Sequence, residues 1–178
     1  MSAKHKELSN FIWQIADLLR GPYRPPQYER VMLPLTVLRR FDCVLESTKD
    51  RVLAKKEELD AKDEDEQVVK TKLKSVAGHR FYNTSPLTFE KLKGAPDQIN
   101  HDLQAYIDGF SKNVRDIFQH FDFSKEIEKM HEANVLYLIV SKFCDVDLHP
   151  EKVPNHQMGL LFEDLIRRFN EQANETAG

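Results

Sequence analysis

A chain of 178 residues with a formal net charge of −3 has the length of one domain. It can bury about 70% of the surface of its unfolded form without a metal or a disulfide. The charge balance excludes a surface that binds nucleic acid everywhere, so any DNA contact requires a local basic patch. The first residues contain no signal-peptide core, and no apolar run approaches the ~20 residues of a membrane span. The two cysteines, Cys43 and Cys144, lie far apart, which is typical of a reduced, cytoplasmic protein.

The first predicted helix runs from about residue 4 to residue 20, because apolar residues recur there at helical spacing. Gly21 and Pro22 end it, since glycine suits the left-handed position after a helix and proline cannot continue one. The following loop, through Pro26, contains three prolines. Their fixed φ angles make this loop a stiff entry to the next helix.

The segment from Tyr28 to Leu53 is the predicted central helix, continuing to about residue 55. Its apolar residues form two adjacent stripes that cover a little over half of the circumference, so other elements must contact it from at least two sides. Pro34 lies inside this segment, and we expect a kink one turn before it or a break into two helices. Asp42 and Lys49 fall on the apolar arc, where the carboxylate requires a partner such as Arg39.

The middle of the chain alternates between charged and amphipathic segments. Residues 55–67 are almost entirely charged and predict an exposed helix end with an acidic turn. A weak helical pattern follows at residues 68–76, and residues 79–86 predict a packed irregular or short extended segment. Thr88 and Gly94 bound a short helix. Asp97–Phe121 has the cleanest amphipathic pattern and is predicted to be one helix, interrupted only by Gly109.

The C-terminal third of the chain is also predicted to be helical. A short helix is expected from Ser124 to Met130, and the apolar run Val135–Phe143 is assigned to a helix because no second strand is available to pair with it. Asn155 begins the last helix, whose predicted inner face consists of Met158, Leu161, Phe162, Leu165, Ile166 and Phe169. The predicted fold is therefore all-α: an irregular multi-helix bundle around the central helix, with no sheet of consequence, in a single domain of residues 1–178.

Motifs for catalysis or metal binding do not occur in the sequence. The glycines are too widely spaced for a phosphate-binding loop, and there is no Asn-Pro-Pro-aromatic or Asp-Pro-Pro-aromatic motif to hold a base for methylation. Cysteine spacing excludes a zinc finger. Glu128 and His131 match half of a ferritin-type di-iron motif, which requires a second copy and two further carboxylates. We find no second copy, so we predict no catalytic, cofactor-binding or metal-binding residue in this chain.

Basic and aromatic side chains provide candidates for contact with DNA or a partner. Arg39 and Arg40 are assigned to the polar arc of the central helix, where guanidinium groups could bind phosphates bidentately. The alternative is structural: arginines that cap helix carbonyls or pair with Asp42, lysines on a solvated face, and tyrosines that anchor loops. The candidates are Arg20, Arg24, Arg39, Arg40, Lys70, Lys72, Lys74, Arg80, Tyr23 and Tyr82.

Four segments in combination resemble one family. They are Trp13–Gly21, Tyr28–Phe41, Phe81–Asn83 and the closing run Gly159–Phe169. Together they resemble the N-terminal helical region of the modification (M) subunit of type I restriction-modification systems, which is an N6-adenine DNA methyltransferase. The resemblance covers essentially the whole chain and keeps its order.

The resemblance implies functions that extend beyond these 178 residues. In the full-length subunit a Rossmann-like domain that binds S-adenosylmethionine is expected after Gly178, so this chain is not expected to methylate DNA alone. Two M subunits would join one specificity subunit and engage duplex DNA, a restriction subunit could be added, and the complex would be cytoplasmic in a bacterium or archaeon. The alternative is a self-contained helical adaptor that binds another protein and has no DNA role.

Overall fold

Helices form most of residues 3–177, the part of the chain that the computed structural model describes, with side chains described from residue 5 to residue 174. In chain order they are α1 (Ala3–Ile15), α2 (Glu29–Leu45), α3 (Lys49–Ala61), α4 (Glu66–Ala77), α5 (Phe89–Leu92), α6 (Ile99–Asp108), α7 (Lys112–His120), α8 (Phe123–Glu132), α9 (Leu136–Phe143) and α10 (Asn155–Ala177). No strand forms within this range, and the all-α prediction is confirmed.

Helix α2 lies at the centre of the bundle and contacts α8, α9 and α10. In the first apolar stripe of this helix, the side chains of Val31, Leu35 and Leu38 are inaccessible to solvent. The second stripe, which includes Val37 and Phe41, is partly buried. Burial of each large aliphatic side chain contributes roughly 1.5–3 kcal/mol relative to exposure. The prediction that this helix is contacted from more than one side is confirmed.

The central helix is interrupted later than predicted. Helix α2 runs without a break through Pro34, and a 3-10 turn at Glu46–Thr48 separates it from α3. Pro34 has no backbone amide to donate, but the first turn of α2 forms before it. In that turn the backbone amides of Val31 and Met32 both donate to the carbonyl of Tyr28. The expected break into two helices therefore occurs at residues 46–48 and not at Pro34.

The predicted helix from residue 97 to residue 121 is two helices, α6 and α7, separated at Gly109 to Ser111. At this break the chain bonds the segment that holds Asn83: the amide of Thr84 donates to the carbonyl of Gly109 at 2.8 Å. A Cβ added to Gly109 would lie 2.7 Å from the Cβ of Ser85. Only glycine permits so close an approach. Gly109 is therefore the point where two segments of the chain pack together, and not a helix-interior glycine that merely lowers helix stability.

Helix α10 packs against α1, α2 and the 3-10 turn at Pro25–Gln27. Its predicted inner face is buried at Met158, Leu161, Leu165 and Phe169. Ile166 is 41% exposed, so that part of the prediction is wrong. Ile117 and Phe121, which belong to the apolar stripe of the helix predicted at residues 97–121, are also exposed, at 37% and 40%.

Candidate interaction groove and the buried charges behind it

Arg39 is an internal residue that attaches the segment after α9 to the central helix. Its Nε donates to the carbonyl of Val146 at 2.9 Å, and its Nη2 donates to the carbonyl of Cys144 at 3.0 Å. Its Nη1 donates to Oδ2 of Asp42 at 2.9 Å. The side chain is only 10% exposed. Its assignment to a polar, accessible arc is therefore wrong, and its pairing with Asp42 is confirmed.

Arg40 has the same structural role one residue later. Its Nη1 donates to the carbonyls of Leu148 and Val153 at 2.8 and 2.6 Å, and its Nη2 donates to Oδ1 of Asn155 at 3.1 Å. Burial lowers the pKa of the Arg40 guanidinium from its ordinary value. The carbonyls that it bonds belong to a segment with no regular ladder, so the arginine supplies donors that these buried groups require. Its placement on the polar arc is also wrong.

Asp42 connects the central helix to two later helices. Its Oδ1 accepts a hydrogen bond from the hydroxyl of Tyr106 at 2.7 Å and from the backbone amide of Phe89 at 3.3 Å. Burial, together with the charge of Asp42 and this bond, raises the pKa of the Tyr106 hydroxyl well above its ordinary value. The other oxygen of Asp42 accepts from Arg39. The buried carboxylate therefore accepts hydrogen bonds from three donors, which offset the free-energy cost of burying its charge.

Lys49 lies at the start of α3 beside this cluster and is 8% exposed. Its Nζ donates to Oδ1 of Asn83 at 2.9 Å and lies 5.5 Å from the ring centroid of Tyr106. Burial lowers the pKa of the Lys49 ammonium to about 8, although the charge of Asp42 acts in the opposite direction. Asn83 in turn donates to the carbonyl of Tyr106 at 2.9 Å, so the segment at residues 81–85 is fixed from two sides.

A surface groove of about 520 Å³ lies between the end of α1, the loop at residues 20–25 and the later part of α10. We call it the α1–α10 groove. Trp13 and Tyr28 provide apolar wall, and Arg20 and Arg24 are exposed beside it. Asp17 also lines the groove and pairs with Arg20 at 3.4 Å, with both side chains more than two-thirds exposed. Such an exposed pair contributes at most about 1 kcal/mol, so a ligand could displace it.

Tyr23 fixes the loop that carries these two arginines. It is 2% exposed, and its hydroxyl donates to Oε1 of Glu126 on α8 at 2.7 Å. Lys129 Nζ lies 4.2 Å from the ring centroid of Tyr23, a cation–π distance. Burial, reinforced by Glu126, raises the pKa of the Tyr23 hydroxyl above its ordinary value. Tyr23 therefore anchors the loop, and this holds Arg20 and Arg24 at the surface of the groove.

The second basic cluster does not form one patch. Lys72, Lys74 and Arg80 are exposed, and Lys70 pairs with Glu66 at 3.3 Å. On α4, residues 70 and 74 share a face, whereas residue 72 lies about 200° from residue 70 around the helix. Tyr82 is 8% exposed and holds Ser111 through its backbone carbonyl at 2.9 Å. Of the predicted contact residues, the structure therefore brings Arg20, Tyr23 and Arg24 together at the α1–α10 groove, whereas Lys70 and Tyr82 line a different surface depression.

Comparison with protein-family models identifies the family of this chain. Residues 8–143 match the family model of the HsdM N-terminal domain, which is well over half of the chain. The chain belongs to the HsdM N-terminal domain family. This is the N-terminal domain of the M subunit of type I restriction-modification systems, as the sequence resemblance indicated. Neither the curated proteins nor the solved structures gave a significant match.

The cysteines of this HsdM N-terminal domain have no environment that activates a thiol. Burial raises the pKa of both Cys43 and Cys144 to about 11. The thiol of Cys144 donates to the carbonyl of Phe89 at 3.3 Å. Because the thiolate is the nucleophile, neither residue is a nucleophile near neutral pH.

Within residues 3–177 the structure offers neither a metal centre nor a membrane-spanning helix. No group of three or more His, Cys, Asp or Glu side chains there is arranged to hold a metal ion. Oε1 of Glu128, from the half di-iron motif, accepts a hydrogen bond from Asn100 at 3.2 Å. Among the helices described, none has both the length and the apolar character that crossing a bilayer demands.

The sequence reasoning missed Asn83, Tyr106 and Glu126 as structural residues of the HsdM N-terminal domain. In the sequence Asn83 belongs to an irregular segment and to the family resemblance, and Tyr106 is one apolar position on a helical stripe, so neither residue indicates a buried hydrogen bond. Each derives its role from a partner 23 to 103 residues away in the chain. One local signal did exist: Gly109 within an otherwise clean helical pattern indicates a close backbone approach.

Proposed function

We propose that this domain serves assembly of a type I modification complex with the specificity subunit and contributes to engagement of duplex DNA. The observation that carries the proposal is the family match over residues 8–143. The α1–α10 groove supports it, because an aromatic wall beside two exposed arginines suits a polyanion or an acidic helix. Under this proposal Arg20 and Arg24 are contact residues, and Tyr23 is a positioning residue.

Methyl transfer is assigned to another part of the full-length subunit. We propose a Rossmann-like domain there that binds S-adenosylmethionine and methylates adenine at N6, in a complex of two M subunits and one specificity subunit to which a restriction subunit can be added. Such a complex would act in the cytoplasm of a bacterium or archaeon. The sequence of this chain has neither the glycine-rich cofactor motif nor an Asn-Pro-Pro-aromatic motif.

The DNA role is tested by replacing Arg20 and Arg24 with glutamine in the M subunit, assembled with its specificity subunit. The matched control is the same double replacement at Lys72 and Lys74, two exposed lysines of α4. Duplex affinity is measured at several salt concentrations. We expect the groove variant to weaken binding and to reduce the slope of log affinity against log salt by about 1–2, with the control closer to wild type.

The same titration discriminates between the proposal and a DNA-independent adaptor. The chain has one tryptophan, Trp13, and it lines the groove. If DNA enters the groove, the emission of Trp13 should change in a salt-dependent way when duplex is added to the 178-residue chain. Unchanged emission, together with equal affinities of the groove and control variants in the complex, would favour the adaptor.

A further inference from the structure

A polar cavity of about 210 Å³ lies between α2, the start of α3, α6 and the segment at residues 83–90. Its interior is lined by the charged and polar groups of Arg39, Asp42, Lys49 and Tyr106. Glu46 and Glu90 also line it, and both are exposed, so they place two carboxylates where the cavity meets solvent. This space is separate from the α1–α10 groove, and the proposed assembly role does not use it.

Lys49 provides the amine among the residues that line this cavity, and an amine is a nucleophile in its neutral form. Arg39 uses its nitrogens on two carbonyls and a carboxylate, and Tyr106 donates its hydroxyl to Asp42. For Nζ of Lys49 one hydrogen bond is formed, to Asn83, whereas an ammonium has three hydrogens. Burial favours the neutral amine and lowers the pKa of Lys49 to about 8. A neutral amine is the nucleophilic form of lysine.

We propose that Lys49 is a modification site, acylated through this cavity by small uncharged acyl donors such as thioesters and active esters. The Nζ lone pair attacks the acyl carbon, a C–N bond forms, and the bond from that carbon to the leaving sulfur or oxygen breaks. The leaving group departs with the proton that Nζ loses. The product is a neutral amide, and its N–H can still donate to Oδ1 of Asn83.

Two features of the site favour this product and select the donor. The amide carries no charge, so it removes the desolvation that burial imposes on the ammonium of Lys49. Glu46 and Glu90 at the cavity mouth pair with His149 and Lys93, and an anionic acyl donor such as acetyl phosphate is disfavoured because entry to the cavity would cost it its hydration. The cavity holds the volume of about seven waters at ~30 Å³ each, which accommodates an acetyl group but not a long acyl chain.

The proposal is tested on the wild-type 178-residue chain, so that it does not depend on a variant that folds poorly. The chain is treated with a substoichiometric amount of the N-hydroxysuccinimide ester of acetic acid near neutral pH, and the acetylated lysines are quantified by peptide mass spectrometry. Lys72 and Lys74, both exposed on α4, are the internal controls. We expect Lys49 to react roughly tenfold faster than either control, since its larger neutral fraction outweighs its burial.

Three comparisons make the result decisive. In guanidinium chloride the advantage of Lys49 should disappear, because it arises from the folded environment, and acetyl phosphate should show a smaller preference for Lys49 than the ester does. A Lys49→Arg variant should lose the fastest-reacting site while Lys72 and Lys74 react as before. The proposal is overturned if folded Lys49 reacts no faster than these exposed lysines, or if its advantage persists in the unfolded chain.

Discussion

The hydroxyl of Tyr106 donates a 2.7 Å hydrogen bond to the carboxylate of Asp42, 64 residues earlier in the chain. This bond joins α6 to the central helix in the interior, where Asp42 also accepts from Arg39 and from the amide of Phe89. A buried charge with three donors fixes the relative position of the elements that supply them. The central helix is therefore held by polar contacts as well as by its apolar stripes.

Replacing Tyr106 with phenylalanine should lower the free energy of unfolding by about 1.5–3 kcal/mol, because a hydrogen bond to a charged group is lost in the interior. Urea unfolding followed by circular dichroism measures this change. The matched control is Tyr137→Phe, which removes a bond to the neutral carbonyl of Lys93 from a partly buried site. A loss at Tyr106 no larger than that at Tyr137 would contradict the importance of the Asp42 contact.

Replacing Arg40 with methionine should destabilise the domain by about 2–4 kcal/mol, since the carbonyls of Leu148 and Val153 lose their donor. Methionine keeps much of the apolar stem, so the loss reports mainly on the guanidinium. Lys72→Met on the exposed face of α4 is the control, with an expected change within about 0.5 kcal/mol. If the Arg40→Met domain were as stable as wild type and bound DNA more weakly, Arg40 would be a DNA-contact residue and not a structural one.

Two glycine replacements should have opposite effects. Gly109→Ala places a Cβ 2.7 Å from Ser85 Cβ and 2.8 Å from its backbone nitrogen, so overpacking should cost about 1–3 kcal/mol. At Gly159, inside α10, an added Cβ meets nothing within 4 Å. Alanine there should stabilise the helix by roughly 0.5–1 kcal/mol. Thermal unfolding of both variants checks the prediction, which fails if Gly109→Ala is as stable as Gly159→Ala.

Part of this architecture could be predicted because its causes are local. Helical periodicity predicted α1 and α10, the lack of a second strand to pair with predicted α9 as a helix, and the spacing of Arg39 and Asp42 by one turn indicated their ion pair. The burial of Arg39 itself could not be inferred in this way. It depends on carbonyls at residues 144–146, more than 100 positions later, and a helical wheel carries no information about such partners.

The candidate site shows the same division between local and distant causes. The prolines and Gly21 indicated a stiff loop, and the structure shows that Arg20 and Arg24 at this loop are exposed. Nothing near Tyr23 in sequence indicates Glu126 as its partner, so the anchoring of that loop was not predictable. The break in the helix at Gly109 was also missed, because periodicity reports which face is apolar and not whether the helix is continuous.

The environment of His149 predicts a pH-dependent contribution to stability. Burial alone would lower the pKa of His149, but the hydrogen bonds to Asp147 and Glu46 outweigh it, and the pKa is raised from 6.5. A raised pKa means that the folded state binds the proton more tightly than the unfolded state. The resulting stabilisation is complete below pH 6.5 and is lost as the pH rises through the folded-state pKa.

Replacing His149 with glutamine tests this linkage. The difference in unfolding free energy between wild type and His149→Gln should be larger below pH 6.5 than well above the folded-state pKa. His120→Gln, at an exposed position on α7, is the control and should show a smaller dependence. A difference that stays constant across the same pH range would contradict the ion pairing of His149 with Asp147 and Glu46.

The most direct test of the assembly role compares the full-length M subunit with a form that lacks residues 1–178. Each is mixed with the specificity subunit and duplex DNA and measured by native mass spectrometry, after confirming that the shortened form still binds S-adenosylmethionine. We predict that the full-length subunit forms a complex of two M subunits and one specificity subunit on DNA, whereas the shortened form does not. Equal assembly and DNA binding by the two forms would contradict the proposed function.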